Sequence, residues 1–271
     1  MLLVIDVGNT NIVIGIFQGE NLTHHWRIST RRNMTIDETA LLIHNLFHLH
    51  DLSRDEVEGC IISSVVPPLN IPLEGMCERL FHMKPIFVAP GIKTGIAILY
   101  ENPKEVGADR IVNAVAAYHR YRQAIIAVDF GTATTLDCIS EKGEYLGGII
   151  APGITISAEA LFKYASKLPK VEIARPPQIL GRNTVNSIQS GLYYGYISMV
   201  DGLVERLISS YNWKPRVIAT GGLAKIVAKD SKYIEEVDEF LTLKGLKIIY
   251  ELNRPKKMGE RKDARKKEKI N

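Results

Sequence analysis

Cysteine is scarce in this chain of 271 residues: only Cys60, Cys77 and Cys138 occur, and no two are spaced as CxxC. An odd number without paired spacing argues against a disulfide framework and against a cysteine-ligated zinc site. Cys60 and Cys138 lie in apolar runs and read as core residues, which favours a reducing, cytoplasmic setting. The first apolar stretch has no basic leader and is interrupted by Asp6, so it reads as neither signal peptide nor membrane span. Several catalytic signatures are missing too. There is no GxxxxGK[ST] loop, no GxGxxG after a strand and no GxSxG elbow. His44 and His48 stand four apart, but no HExxH surrounds them.

An excess of one charge is also absent from most of the chain. The formal net charge is +4, yet residues 254–271 hold nine Lys/Arg against three Asp/Glu, a local +6 that leaves the body at −2. A near-neutral body gives no electrostatic footprint for nucleic acid. The basic tail, with little apolar surface to bury, reads as solvated and flexible.

What the chain does have is a repeat. Residues 2–11 read LLVIDVGNTN, and residues 124–135 read AIIAVDFGTATT. Each is an apolar strand-like run, then Asp-x-Gly, then small hydroxyl or amide residues, then a second apolar stretch. The two aspartates, Asp6 and Asp129, lie about half a chain apart. A repeat of that size predicts two similar domains, 1–122 and 123–253, facing a shared cleft, with 254–271 as a tail.

Periodicity fills in both halves. Strands are expected at residues 2–6, 12–17, 21–29, 59–66 and 85–88, with helices at 35–49, 69–81 and 111–121. Thr35 or Asp37 is placed to cap the first helix. In the second half, strands are expected at 124–129, 135–139, 145–150 and 216–220. Helices are expected at 154–164, 185–210 and 223–228, with short closing elements at 240–243 and 248–251. Each half is then a meander feeding βα units, a mixed sheet with flanking helices.

The chemistry-bearing residues cluster at the turns. A strand-end aspartate such as Asp6 suits Mg²⁺ held through waters. Gly8 lets the backbone approach an anion, and Asn9, Thr10 and Asn11 offer donors to phosphate oxygens. The segment from Asp129 to Thr135 has the same logic with more hydroxyls. Asp109 opens a helix, either as its N-cap or as a general base for a substrate hydroxyl. Arg110 is either a surface residue or a fork for a carboxylate. Thr184 is either an N-cap or a hydrogen-bond donor to ligand. The turn 220–222 (TGG) lets a flat ligand lie against backbone, and 147–153 (GGIIAPG) is placed to shape a cleft floor.

Two Asp-x-Gly turns with a late Thr-Gly-Gly resemble the acetate kinase, sugar kinase, Hsp70 and actin superfamily. Within it, DVGNT at 6–10, YENPKEVGADR at 100–110, DFGTAT at 129–134, GIIAPG at 148–153 and TGG at 220–222 resemble type III pantothenate kinase in order and spacing. The resemblance implies an α/β fold of duplicated ribonuclease H-like, actin-like ATPase domains with a nucleotide cleft between them. It implies ATP- and Mg²⁺-dependent phosphorylation of pantothenate to 4′-phosphopantothenate, the first step of coenzyme A synthesis. Asp6, Val7, Gly8, Asn9, Thr10, Asn11, Ile12, Val13 and Thr132 would line ATP. Asp109 would be the general base, and Asp129 would hold a monovalent cation, K⁺ or NH₄⁺. Tyr100, Gly107, Ala108, Asp109, Arg110 and Thr184 would surround pantothenate in a homodimer, with neither nucleic acid nor membrane as partner. The alternative is a non-catalytic nucleotide-binding regulator of the transcription accessory type, which would not require Asp6, Asp109 and Asp129 together.

Overall fold

The computed structural model describes residues 1–254, so the expected flexible tail lies almost wholly outside the described residues. Strands and helices are numbered in chain order. In the first sheet β1 (Leu2–Val7), β2 (Asn11–Gln18) and β3 (Asn21–Ser29) form an antiparallel meander. Then β4 (Gly59–Ser64) runs parallel to β1, and β5 (Ile86–Phe87) parallel to β4. In the second sheet β7 (Ile125–Phe130), β8 (Ala133–Ile139) and β9 (Glu144–Pro152) form the same meander. There β10 (Arg216–Thr220) runs parallel to β7, and β11 (Glu236–Val237) parallel to β10. The strand orders are β3-β2-β1-β4-β5 and β11-β10-β7-β8-β9, the latter extended at its β9 edge by β6 (Ala97–Ile98). The duplication read from Asp6 and Asp129 is therefore a duplication of topology.

The helices are α1 (Ile36–Leu49), α2 (Asn70–Phe81), α3 (Ala108–Tyr121), α4 (Ile154–Tyr164), α5 (Thr184–Tyr211), α6 (Ala224–Val227) and α7 (Leu241–Asn253). Thr35 caps α1 in a capping box: Glu38 N–H donates to Thr35 Oγ1 at 3.2 Å, and Thr35 N–H to Glu38 Oε2 at 2.7 Å. Neither β6 nor β11 is expected from the sequence, and three further details differ from its reading. The N-cap of α3 is Gly107, so Asp109 sits inside the first turn. The cap of α5 is Asn183, whose Oδ1 accepts from Asn186 N–H at 2.8 Å, so Thr184 is already helical. The two closing elements are one helix, α7.

Side-chain alternation on the central strands decides what faces the cleft. Leu3 and Ile5 of β1 pack with α1 and α2, through Ile43, Phe47 and Met76. Ile126 and Val128 of β7 pack with α5, through Val200 and Val204. Leu2 and Val4 of β1 and Ile125 and Ala127 of β7 point the other way, into one core filled by α3 and α7. Asp6 and Asp129 continue that inward set by the period of two. Each is the half-buried residue of an otherwise buried strand. The fold thus aims both acidic strand ends at the seam between the sheets.

Candidate active site

The turn after β1 is pinned by its own backbone and by β3's exit. Gly8 N–H donates to Asn11 O at 3.0 Å, and Thr30 Oγ1 donates to Gly8 O at 2.7 Å. Arg32 Nη2 donates to Asn9 Oδ1 at 2.9 Å. After β7, Gly131 N–H donates to Ala133 O at 3.0 Å, and Gly153 N–H donates to Thr132 O at 3.1 Å. The first turn is one residue longer, since Val7 pairs with Ile12 whereas Phe130 pairs with Thr134. The two turns touch: Thr10 Oγ1 and Thr132 Oγ1 are 2.8 Å apart. Val7 and Ile12 are buried in the first core, so only their backbone is available to a ligand.

Below the turns lie three carboxylates from different elements. Burial, and then the charge of Asp109, push Asp6 up from 3.8 to about 7. Burial, then Asp109 and Asp137, push Asp129 from 3.8 to about 7. Asp109 is itself raised by burial, against the pull of the Arg110 N–H, which donates to its Oδ1 at 2.8 Å. Asn113 Nδ2 donates to Asp129 Oδ2 at 3.1 Å, while Thr242 Oγ1 donates to Asn113 Oδ1 at 2.7 Å. That second bond fixes which end of the amide meets the carboxylate. On the other side Gly221 holds φ at +95°, and a Cβ there would stand 2.4 Å from Asp129 Oδ1. Glycine is therefore required by both backbone conformation and space.

Of the residues expected around the acceptor, Tyr100 and Arg110 lie against β9 and β8. Arg110 is buried rather than a surface residue of α3. Its Nε and Nη2 each lie 2.7 Å from Oδ1 of the fully buried Asp137. Tyr145 O–H donates to the same oxygen at 2.8 Å, and Thr135 Oγ1 to Oδ2 at 3.3 Å. Burial outweighs Arg110 and raises Asp137 to about 6. Tyr100 lies beside Tyr145, ring centroids 6.3 Å apart. Gly107 and Ala108 lead into the helix that carries Asp109 and Arg110. Thr184, exposed at the head of α5, is not joined to this group by any hydrogen bond among the described residues.

Sequence reading missed three residues here. Asp137 left a usable signal, a charge inside an apolar strand. Asn113 sat unmarked on α3. Arg27 sat on a strand whose cleft-facing side only the tertiary structure reveals.

The donor set suits cations in part. Asp6 Oδ1 is buried without a hydrogen-bond partner among the described residues, an unmet demand that a hydrated Mg²⁺ would meet. Among those residues no three His, Cys, Asp or Glu side chains converge on one chelating point. Ions here would therefore be held by one carboxylate together with water or ligand oxygens. No helix among the described residues is long and apolar enough to cross a membrane.

Paired mixed sheets with facing Asp-x-Gly turns define a duplicated α/β fold of the actin-like class. Solved structures agree on the fold. A Campylobacter jejuni protein named as a Baf family transcriptional activator is similar at TM-score 0.58 and 20% identity, over 92% of this chain and 97% of that one. The activator of 2-hydroxyisocaproyl-CoA dehydratase from Clostridium difficile, solved with ADPNP, is similar at TM-score 0.52 and 12% identity, over 98% and 97%. Sequence narrows the class. The type III pantothenate kinase family matches residues 2–206. The type III pantothenate kinase of Pelobacter propionicus is 59% identical over 254 residues, 94% of this chain and 100% of that protein. The chain belongs to the type III pantothenate kinase family.

Proposed function

We propose that the chain phosphorylates pantothenate with ATP, the first step of coenzyme A biosynthesis, and that Asp109 is the general base. The family membership supports the reaction. The observation that supports the site is the set of Asp6, Asp109 and Asp129, coupled in charge beneath two turns that touch through Thr10 and Thr132. Phosphoryl transfer asks mainly for positioning and charge neutralisation. The turn from Asp6 to Val13 offers backbone N–H groups and hydroxyls to the phosphates, with Thr132 facing it from the second half. Mg²⁺ with its waters belongs at Asp6, where its charge would offset that of the phosphates. The monovalent cation, K⁺ or NH₄⁺, belongs at Asp129.

Asp109 takes the proton of the primary hydroxyl as the phosphoryl group arrives. Its proton affinity, raised by burial, suits that role once the working pH keeps it ionised. Tyr100 and the 107–110 segment hold the acceptor, and Asp137 orients the Arg110 fork. A pair of chains in the cytoplasm is the working unit. Its supporting observation is the exposure of five apolar side chains, Leu161, Phe162, Ile179, Leu180 and Val185, on α4, the connection after it and the head of α5. Such pairing would bring the head of α5, with Thr184, to the acceptor pocket of the second copy. A solution mass of one chain under assay conditions would refute it.

The testing experiment is ADP release from ATP, Mg²⁺ and pantothenate, with and without K⁺. Turnover should need K⁺ or NH₄⁺ and fall at least 100-fold in Asp109→Asn, in line with loss of a general base. ATP binding should survive in that variant. Near-wild-type turnover by Asp109→Asn would refute the base assignment.

A further inference from the structure

Arg27 enters the cleft from β3, which carries none of the other residues placed in the site above. In register, Asp6 of β1 pairs with Val13 of β2, and Val13 pairs with Arg27 of β3. Directly paired residues share a sheet face, so Arg27 lies on the face that Asp6 turns toward the second half. His25, two residues earlier on the same face, meets Phe240 edge-on with ring centroids 4.5 Å apart. The guanidinium spans the seam: a Cβ on Gly222 would stand 2.9 Å from Arg27 Nη1. A first-sheet side chain therefore lies against the Gly221-Gly222 turn after β10.

Its charge is felt at both strand-end aspartates. It lowers Asp6 and Asp129, although burial still wins at each. Among the described residues no carboxylate lies within ion-pair distance of Arg27, and its guanidinium makes no hydrogen bond. The neighbouring arginines are otherwise engaged, Arg110 with Asp137 and Arg32 with Asn9. An exposed five-donor fork beside the Gly221-Gly222 turn, without a protein partner, is matched to phosphate oxygens.

The side of the cleft selects the ligand. In the second sheet β10 lies on one side of β7, and β8 and β9 on the other. Tyr100, Arg110 and Asp137 stand on the β8–β9 side, and Arg27 stands on the β10 side with the paired glycines. We propose that Arg27 binds the phosphate chain of the nucleotide and closes the cleft from β3, opposite the acceptor pocket. The proposal rests on the reading of the cleft as an ATP site.

Equilibrium binding of ATP and of adenosine to the full-length chain tests it, together with steady-state turnover, in wild type, Arg27→Gln and Arg27→Lys. Loss of one charged hydrogen-bonding partner should weaken ATP binding and raise its KM about 10- to 100-fold. Adenosine binding and the KM for pantothenate should stay within about twofold, a limit well below the loss of a charged contact. Arg27→Lys should recover part of the loss, since it restores charge without the fork. Unchanged ATP affinity in Arg27→Gln would overturn the proposal. Equal losses for ATP and adenosine would overturn it as well, because they would locate Arg27 at the base or in the packing. A wild-type chain that binds ATP no tighter than adenosine would instead remove the underlying nucleotide reading.

Discussion

Replacing Asp129 by Asn should make the ligand-free protein more stable, and only above acidic pH. The carboxyl titrates near 3.8 when free and at about 7 in the fold, chiefly because of burial and secondly because of Asp109. Between those values the folded state keeps a proton that the unfolded state has lost. Stability therefore falls as pH climbs from about 4 to about 7, and stays lowered above that. A shift of about 3 units corresponds to a ceiling of about 4 kcal/mol. Asp129 is half-buried, so screening by solvent brings the expected effect to about 1–3 kcal/mol. Asparagine resembles the protonated acid and can still accept from Asn113 Nδ2. For a chain of this size the gain equals a rise in Tm of roughly 2–5 °C. The assay is thermal unfolding from pH 4 to pH 8.5 without Mg²⁺, K⁺ or nucleotide. Wild type and variant should melt together near pH 4 and separate progressively to pH 7. A variant that melts at or below wild type at pH 8, or whose gain is the same at every pH, would refute the argument.

Asp137→Asn should act in the opposite sense, because it strands the buried Arg110 charge. A loss of about 3–5 kcal/mol is expected by urea unfolding, and a loss under about 1 kcal/mol would show that the pair is not desolvated as described. Gly245→Ala sets helix propensity against packing. Alanine is favoured in a helix by about 1 kcal/mol, yet its Cβ would stand 2.1 Å from the Val112 carbonyl of α3. Backbone cannot yield cheaply there, so a net loss of about 1–3 kcal/mol is expected, and a raised urea midpoint would deny the close crossing.

Much of this architecture was legible in the chain. The strand of residues 21–29, the helix of 154–164 and the strand of 216–220 coincide with the observed elements, since each is bounded by strong turn residues and has a clean period. The repeat of Asp6 and Asp129 was legible because local sequence sets a turn. Helix α7 was harder to read. Gly245 splits its apolar pattern, and the reason for a glycine there is α3, more than a hundred residues earlier. The cap of α3 was misread because Asp is a common cap, whereas Gly107 takes the position and Asp109 falls in the first turn, where its Oδ1 accepts from Arg110 N–H. Arg27 and Asp137 acquire meaning only from partners on other strands. No local period encodes which face of β3 looks across the seam, or that Asp137 answers Arg110.

The position of α7 has a consequence for synthesis. The last described helix lies in the same core as Leu2 and Val4 of the first strand. A ribosome releases β1 long before it releases Leu241 to Asn253, so the first sheet emerges with its inner face uncovered. Until α7 has been made, the part of that apolar face which it covers stays exposed to chaperones and to aggregation. Contacts of such sequence separation favour slow, all-or-none folding over half-by-half maturation. A chain stopped before Leu241 would therefore fail as a whole, although every residue of both Asp-Gly turns had already been made.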